Sequence, residues 1–268
     1  MYEEQVLPRI DQLQRTVPLA SLLRCRLMRS QLNGKQTCLD LYEENDDDGL
    51  EDELEDELGP WLMRAIHSRD ALGRHTYTIY LPPNQHDLQA NRDFGEPVGR
   101  VTSNTMGSTF WIYERANESE KGDQHQWQET CVVLYKVSLL GKRGPRTMKV
   151  IVRAVDKDGK VMNSPLDSQP LLERYKRRET DTHLIILENK RPQWSAEIGS
   201  FVLDFFNRML MPSVKNFHLV HPEDVDYTVV QFGKGSPNMF TLDIRYPLNP
   251  IVALGIAISS IQHKLACP

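Results

Sequence analysis

The densest collection of groups that could donate, accept or coordinate lies in Phe217-His-Leu-Val-His-Pro-Glu-Asp-Val-Asp226, where His218, His221, Asp224 and Asp226 fall close together. Imidazoles beside carboxylates are the raw material of general acid–base work or of a metal centre. The Pro222-Glu223-Asp224 segment inside the run reads more naturally as a turn between two strands, and a solvated turn is the expectation. No Gly-rich phosphate loop, GxSxG or HExxH occurs. The four cysteines, Cys25, Cys38, Cys131 and Cys267, form no CxxC pair and no short-spaced Cys/His set, which points to neither a zinc site nor a disulfide framework. The expectation is a non-catalytic protein with no metal and no cofactor.

The remaining chemistry is charge. Tyr42 to Leu58 holds eleven carboxylates and no basic residue, so the formal −5 of the chain conceals a body of +6. A mildly basic body can bind an anion on one face while the acidic run, expected as a solvated loop, repels it elsewhere. Lys142, Arg143 and Arg146 gather in Gly-Lys-Arg-Gly-Pro-Arg, and Arg174 to Arg178 is the densest basic patch. Glu173 and Glu179 flank the patch and reduce its field, so a solvated helix end is expected there rather than a nucleic-acid interface.

The elements that must position these groups are mostly strands. From Leu22 onward, pieces of about four to nine residues recur between Gly, Pro, Asn and Asp clusters: RCRLM, TCLDLY, YTIYL, GSTFWIY, TCVVLYKV, TMKVIVRAV, HLIILE, SFVLDF, NFHLVH, YTVVQF and MFTLDIRY. That spacing predicts antiparallel strands in a sandwich or closed barrel. In Phe240 to Tyr246, Phe240, Leu242 and Ile244 fall on one face and Thr241, Asp243 and Arg245 on the other, which predicts a half-buried strand. Ser168 to Lys176 reads as a short helix. Tyr2, Val6, Leu7, Ile10, Leu13 and Val17 recur at helical spacing, predicting an amphipathic N-terminal segment, 1–20, that docks on the body or on a partner. This segment is acidic and lacks a continuous apolar core, unlike a secretory signal.

The last segment differs in kind. Ile251 to Leu265 is apolar on every side for its first two turns, and a helix of that composition must be buried. Ala253, Gly255 and Ala257 keep it slim enough for a narrow enclosure such as a barrel lumen. Its longest apolar run, Ile251 to Ile258, is eight residues, far short of the roughly 20 that span a bilayer.

The residues also resemble the tubby-like family from about Leu22 to the C-terminus. The resemblance rests on Pro212-Ser-Val-Lys-Asn-Phe217, Asp226-Tyr-Thr-Val-Val-Gln-Phe-Gly233, Phe240-Thr-Leu-Asp243, Tyr246-Pro-Leu248, Ser259-Ser260 and Lys264-Leu-Ala-Cys267. Ser103-Asn-Thr-Met-Gly107, Gln128-Glu129 and Gly141 to Arg146 match more weakly. The chain departs from the family at Asn207, where a Gly precedes the Arg, at His218, where a Gln stands, at Ile261, where a Phe closes the Ser-Ser-Phe, and at the terminal Pro268, where a Glu stands. The resemblance implies a mainly β fold: a closed antiparallel barrel of about twelve strands enclosing a central hydrophobic C-terminal helix, with the barrel domain over 21–268 and the acidic loop inserted at 42–58.

It also implies a function: binding of phosphatidylinositol 4,5-bisphosphate-like headgroups as a membrane-tethering or trafficking adaptor, peripheral at the cytoplasmic face of the plasma membrane or in a cilium or flagellum. Carried over residue by residue, the family's basic-x-basic pair falls on Arg100 and Thr102, and the basic residue before its Gln-Glu pair falls on Trp127. One of three cations is kept. Lys142, Arg143 and Arg146, or Arg74 and His75, would have to compensate. The alternative is a protein-interaction module that has lost lipid binding and engages a partner through the acidic loop or the N-terminal helix.

Overall fold

A computed structural model describes residues 10–34, 36–44, 58–83, 94–116, 127–136, 147–162, 168–177, 183–195, 200–205, 208 and 211–262. Twelve strands close into one barrel. In chain order they are β1 (Leu23–Leu32), β2 (Gln36–Glu43), β3 (Trp61–Arg69), β4 (His75–Tyr80), β5 (Pro97–Ser103), β6 (Thr109–Arg115), β7 (Trp127–Tyr135), β8 (Met148–Arg153), β9 (Leu184–Asn189), β12 (Phe217–His221), β13 (Asp224–Lys234) and β14 (Met239–Ile244). Two further short strands, β10 (Gln193–Ser195) and β11 (Ser200–Val202), pair only with each other, outside the ring.

The ring runs β1, β14, β13, β12, β9, β8, β7, β6, β5, β4, β3, β2 and back to β1, with every neighbouring pair antiparallel. Closure removes the exposed edges that would otherwise template aggregation. Alternation decides which residues face in. In β14, Phe240, Leu242 and Ile244 are buried in the core, while Thr241 and Asp243 on the outer face hydrogen-bond to Arg208.

Helix α1 (Leu171–Lys176) caps the outer face of β7 and β8, burying Leu171 against Val132 and Ile151. Helix α2 (Pro250–Ile261) fills the lumen, and all twelve of its residues are buried. Asn249 starts it: the Oδ1 accepts from Val252 N at 2.8 Å, and Pro250 occupies the first turn where its missing N–H costs nothing. The lumen is narrow. A Cβ on Gly255 would lie 2.7 Å from Ile112 Cδ1, and one on Gly99 would lie 2.8 Å from Ile251 Cγ2, so both glycines are required by the close approach of helix and wall.

Ten of the eleven sequence-derived strands belong to the barrel. The exception is SFVLDF, of which only Ser200–Val202 is a strand, in the small hairpin. β3 and β5 carry too weak an apolar alternation to stand out, since Ala65 and His67 in β3 and Gly99 in β5 supply little of it.

Residues 10–14 are helical, and Ile10, Leu13 and Val17 are buried in the same core as the barrel lining. Val17 N donates to Leu248 O at 2.9 Å, and Gln14 Nε2 donates to Arg115 O at 2.6 Å. This part of the N-terminal segment therefore packs on the barrel; residues 1–9, with Tyr2, Val6 and Leu7, lie outside the described residues. Leu13→Ala is expected to cost about 2 kcal/mol in urea unfolding, the ordinary cost of a buried leucine truncation. A cost near zero would show that the segment is undocked in solution.

Candidate functional site

Four half-buried residues succeed one another across the outer wall as register partners: Thr78 on β4, Arg100 on β5, Tyr113 on β6 and Glu129 on β7. Backbone alternation turns Arg100 and Thr102 to the same face, because both flank the inward Val101. A bulge adds one residue to β7 where Ile112 and Tyr113 meet it. As a result Thr130 turns to Glu114 while Glu129 stands beside Tyr113.

Arg100 is the centre of this row. Its guanidinium lies over the indole of Trp127, 4.9 Å from the ring centroid. Its Nε is buried and has no hydrogen-bond partner, and among the described residues no carboxylate pairs with it. A desolvated donor with nothing to donate to is costly, and an anion placed against that edge would satisfy it. Arg64 is committed to Asp40 at 2.6 Å, Arg74 to Asp70 at 2.6 Å, and Arg208 to Asp243 and Glu44, whereas the Nε of Arg153 on β8 is, like that of Arg100, buried without a hydrogen-bond partner.

Around Arg100 the polar groups are tuned by burial and by each other. The Tyr113 phenol is pushed up by burial and by the charge of Glu129, and drawn back by a hydrogen bond from Thr102 and by Arg100. The Glu129 carboxyl is also raised by burial. Leu171 N donates to its Oε1 at 2.7 Å at the start of α1, and Arg153 on β8 pulls in the opposite direction to burial. The wall thus presents, from β5 to β8, a cation, a phenol, a carboxylate and a second cation.

Of the residues marked through the resemblance, Arg100 lies against Trp127 and shares its outward strand face with Thr102. Lys142, Arg143 and Arg146 fall in 137–146, outside the described residues. Arg74 and His75 offer no compensation: Arg74 is held by Asp70, and His75 Nδ1 lies 2.8 Å from His67 Nε2. Sequence reasoning missed Arg153 and the part played by Tyr113 and Glu129. Outward alternation in β8, with Met148, Val150 and Val152 inward, was the signal for Arg153.

Of two other sequence expectations, the solvated helix end is corrected at Arg174, and the turn between two strands in the His218 run is found at Pro222-Glu223, between β12 and β13. Arg174 is not part of a solvated helix end, because it is fully buried on the inner face of α1; Lys176 and Arg177 remain exposed. In the His218 run, His218 is buried edge-on against Phe205 with its pKa pushed down to about 4, chiefly by desolvation. Asp224 and Asp226 are exposed, and His221 Nδ1 accepts from Glu223 N in the turn. Among the described residues no three His, Cys, Asp or Glu side chains gather as metal ligands. Asn216 satisfies its turn, donating to Met211 O and accepting from Lys234 N.

A closed twelve-stranded barrel threaded by an apolar helix defines the class of protein. The Tub family model matches residues 13–263, and the chain belongs to that family. It is 34% identical over 258 residues to Tubby-related protein 2 of Mus musculus, covering 93% of this chain and 43% of the relative. It is 33% identical over 255 residues to Tubby protein homolog 1 of Caenorhabditis briggsae, covering 92% and 58%. It is 42% identical over 172 residues to Protein king tubby 1 of Aedes aegypti, covering 63% and 41%. The chain spans about half the length of the curated relatives it matches. No described helix is long and apolar enough to cross a membrane.

Proposed function

We propose that this domain is a non-catalytic binding module that holds a phosphoinositide headgroup of the phosphatidylinositol 4,5-bisphosphate kind against the outer wall at Arg100, and so works as a membrane-tethering or trafficking adaptor. The observation that carries the proposal is the buried, partnerless Nε of Arg100. An arginine edge offers two parallel N–H donors to phosphate oxygens, the strongest neutralising contact a single side chain supplies. Family membership supports the same conclusion. The domain would act at the cytoplasmic face of the plasma membrane, in a cell that has one also at the membrane of a cilium or flagellum.

The rival role, partner recognition through the N-terminal helix, is weakened because Ile10, Leu13 and Val17 are spent on the barrel. The acidic 45–57 segment lies outside the described residues.

Liposome co-sedimentation tests the proposal. Vesicles carrying phosphatidylinositol 4,5-bisphosphate are expected to bind the protein, and neutral vesicles are not. Arg100→Ala, which removes the charge and its donors, is expected to weaken binding about tenfold or more. Equal binding to neutral vesicles, or an unchanged variant, counts against it.

A further inference from the structure

We infer that two hairpin tips, Leu72 between β3 and β4 and Met106 between β5 and β6, form a pair of apolar prongs that insert into the surface of an anionic bilayer. This rests on the membrane reading above and adds to it a second contact, separate from the headgroup.

The two tips are built alike. Asp70 O accepts from Gly73 N at 3.0 Å, and Asp70 Oδ1 accepts from Arg74 N at 2.9 Å. Asn104 O accepts from Gly107 N at 3.1 Å, and Asn104 Oδ1 accepts from Ser108 N at 2.9 Å. Gly73 and Gly107 have φ of +78° and +65°, the left-handed region that glycine enters without strain. In each turn the residue just before that glycine stands at the apex, and there Leu72 is 71% exposed and Met106 50%.

Turn chemistry does not call for an apolar apex. Asp156 closes a third turn of the same make: its O accepts from Gly159 N at 2.9 Å, its Oδ1 accepts from Lys160 N at 2.9 Å, and Gly159 has φ +78°. The apex residue of that turn is Asp158, and it is exposed. This third turn lies at the opposite end of the barrel, where Tyr246 OH, just before α2, donates to Asp156 O at 2.9 Å. Scattered exposed apolar side chains need no explanation. Two at the apices of matching turns, on adjoining hairpins, call for an apolar contact outside the protein.

Their placement selects a bilayer. Thr76 pairs with Thr102, so the turn into β4 and the turn out of β5 stand side by side at one end, where Tyr77 OH meets Gln262 at the end of α2. The same two strands carry Thr78 and Arg100 across the outer wall. Arg100 lies three residues from Ser103, roughly 10 Å along the strand. Tips that reach the acyl boundary through a headgroup layer roughly 5–7 Å deep leave Arg100 just above that layer, level with a protruding headgroup. Arg69, Arg74 and Lys136 are exposed at this end and suit an anionic surface, with Asp70 offsetting Arg74. Both turns are fixed before contact, so insertion costs little ordering.

The test uses Leu72→Cys, Met106→Cys, Asp158→Cys and Leu19→Cys, each made with Cys267→Ser so that the buried Cys25, Cys38 and Cys131 are the only other thiols, and each carrying an environment-sensitive fluorophore. Leu19, 62% exposed near the start of α2, is the apolar control outside any matching turn. On phosphatidylcholine vesicles containing phosphatidylserine and phosphatidylinositol 4,5-bisphosphate, the labels at Leu72 and Met106 are expected to brighten severalfold and to be quenched by spin-labelled lipid. Those at Asp158 and Leu19 are expected to stay unchanged. Leu72→Glu combined with Met106→Glu is expected to weaken vesicle binding at least tenfold, since burying one such side chain is worth about tenfold or more. The double variant is expected to keep its thermal unfolding temperature and to bind soluble inositol 1,4,5-trisphosphate within about twofold of the unmodified protein. Vesicle binding with both tip labels unchanged, or with an unweakened double variant, overturns the prongs and leaves the headgroup proposal standing. Tip labels that respond equally without phosphoinositide and in Arg100→Ala support the prongs and count against the headgroup proposal. Failure to bind any vesicle overturns both. Brightening of the tip labels with rising protein concentration and no vesicles would seat a second copy there, against the inference.

Discussion

Replacing Gly255 by leucine is expected to leave the protein without a cooperative unfolding transition. A Cβ at this position would already stand 2.7, 2.8 and 2.9 Å from Ile112 Cδ1, Cγ1 and Cγ2, and leucine adds three more carbons in the same direction. The helix has nowhere to retreat. At its start Asn249 Nδ2 donates to Gln14 O and Glu114 Oε1; at its end Ser260 Oγ donates to Lys215 O and Tyr77 OH to Gln262 Oε1. Twelve strands close around it, so the wall cannot open locally without breaking a ladder. Overpacking by one or two methylenes costs about 1–3 kcal/mol where neighbours can shift. Four atoms against a tethered helix exceed that and approach the whole stability of a domain, about 5–15 kcal/mol. Gly255→Ala calibrates the effect: alanine's helix preference, about 1 kcal/mol over glycine, offsets part of its clash. Pairing Gly255→Ala with Ile112→Val, which removes the nearest methyl, is expected to recover most of the loss. Thermal unfolding of Gly255→Leu at the unmodified temperature would mean that the helix does not occupy the lumen.

That helix was also the most legible element in the sequence, for the same physical reason. Apolar residues all round a helix have no stable solution except enclosure, and Ala253, Gly255 and Ala257 announced that the enclosure was narrow. β3 and β5 were illegible because their identity is tertiary. Gly99 stands in β5 where Ile251 presses against it, and His67 stands inward in β3 beside Tyr77 at the lumen's end; neither choice makes sense without the opposite wall. Arg174 misled for a related reason, since a run of cations looks solvated until α1 is laid on β7 and β8. At the site, Arg100, Thr102 and Trp127 could be marked through the family resemblance. That Trp127 covers Arg100 could not, because it depends on strand order and on the one-residue bulge in β7 that no local pattern reveals.

Two buried ionisable groups set opposed pH dependences that nearly cancel, and separating them is the second large expected effect. Glu114, facing inward beside the start of α2, has its pKa pushed up to about 7 by burial, against hydrogen bonds from Thr130 and Asn249. His218, under Phe205 on the outer wall, has its pKa pushed down to about 4 by burial and by Lys190, against Asp204 and Gln231. Stability rises with pH wherever the unfolded chain binds more protons than the folded one. For His218 the unfolded chain binds more between about 4 and 6.5, so its contribution is lost as pH falls through that window. For Glu114 the folded protein binds more between about 4.5 and 7, so its contribution is lost as pH rises. Over the shared window, pH 4.5 to 6.5, each is worth about 2.5 kcal/mol at 1.36 kcal/mol per unit of pH. Measured by urea unfolding and referred to the unmodified protein, His218→Gln is expected to gain about 2.5 kcal/mol on going from pH 6.5 to 4.5, and Glu114→Gln to lose about as much. The two variants therefore diverge by about 5 kcal/mol across the window, while both glutamines retain a hydrogen-bonding amide of similar shape. Parallel stability curves for all three proteins would show that neither group is buried in the folded state as described.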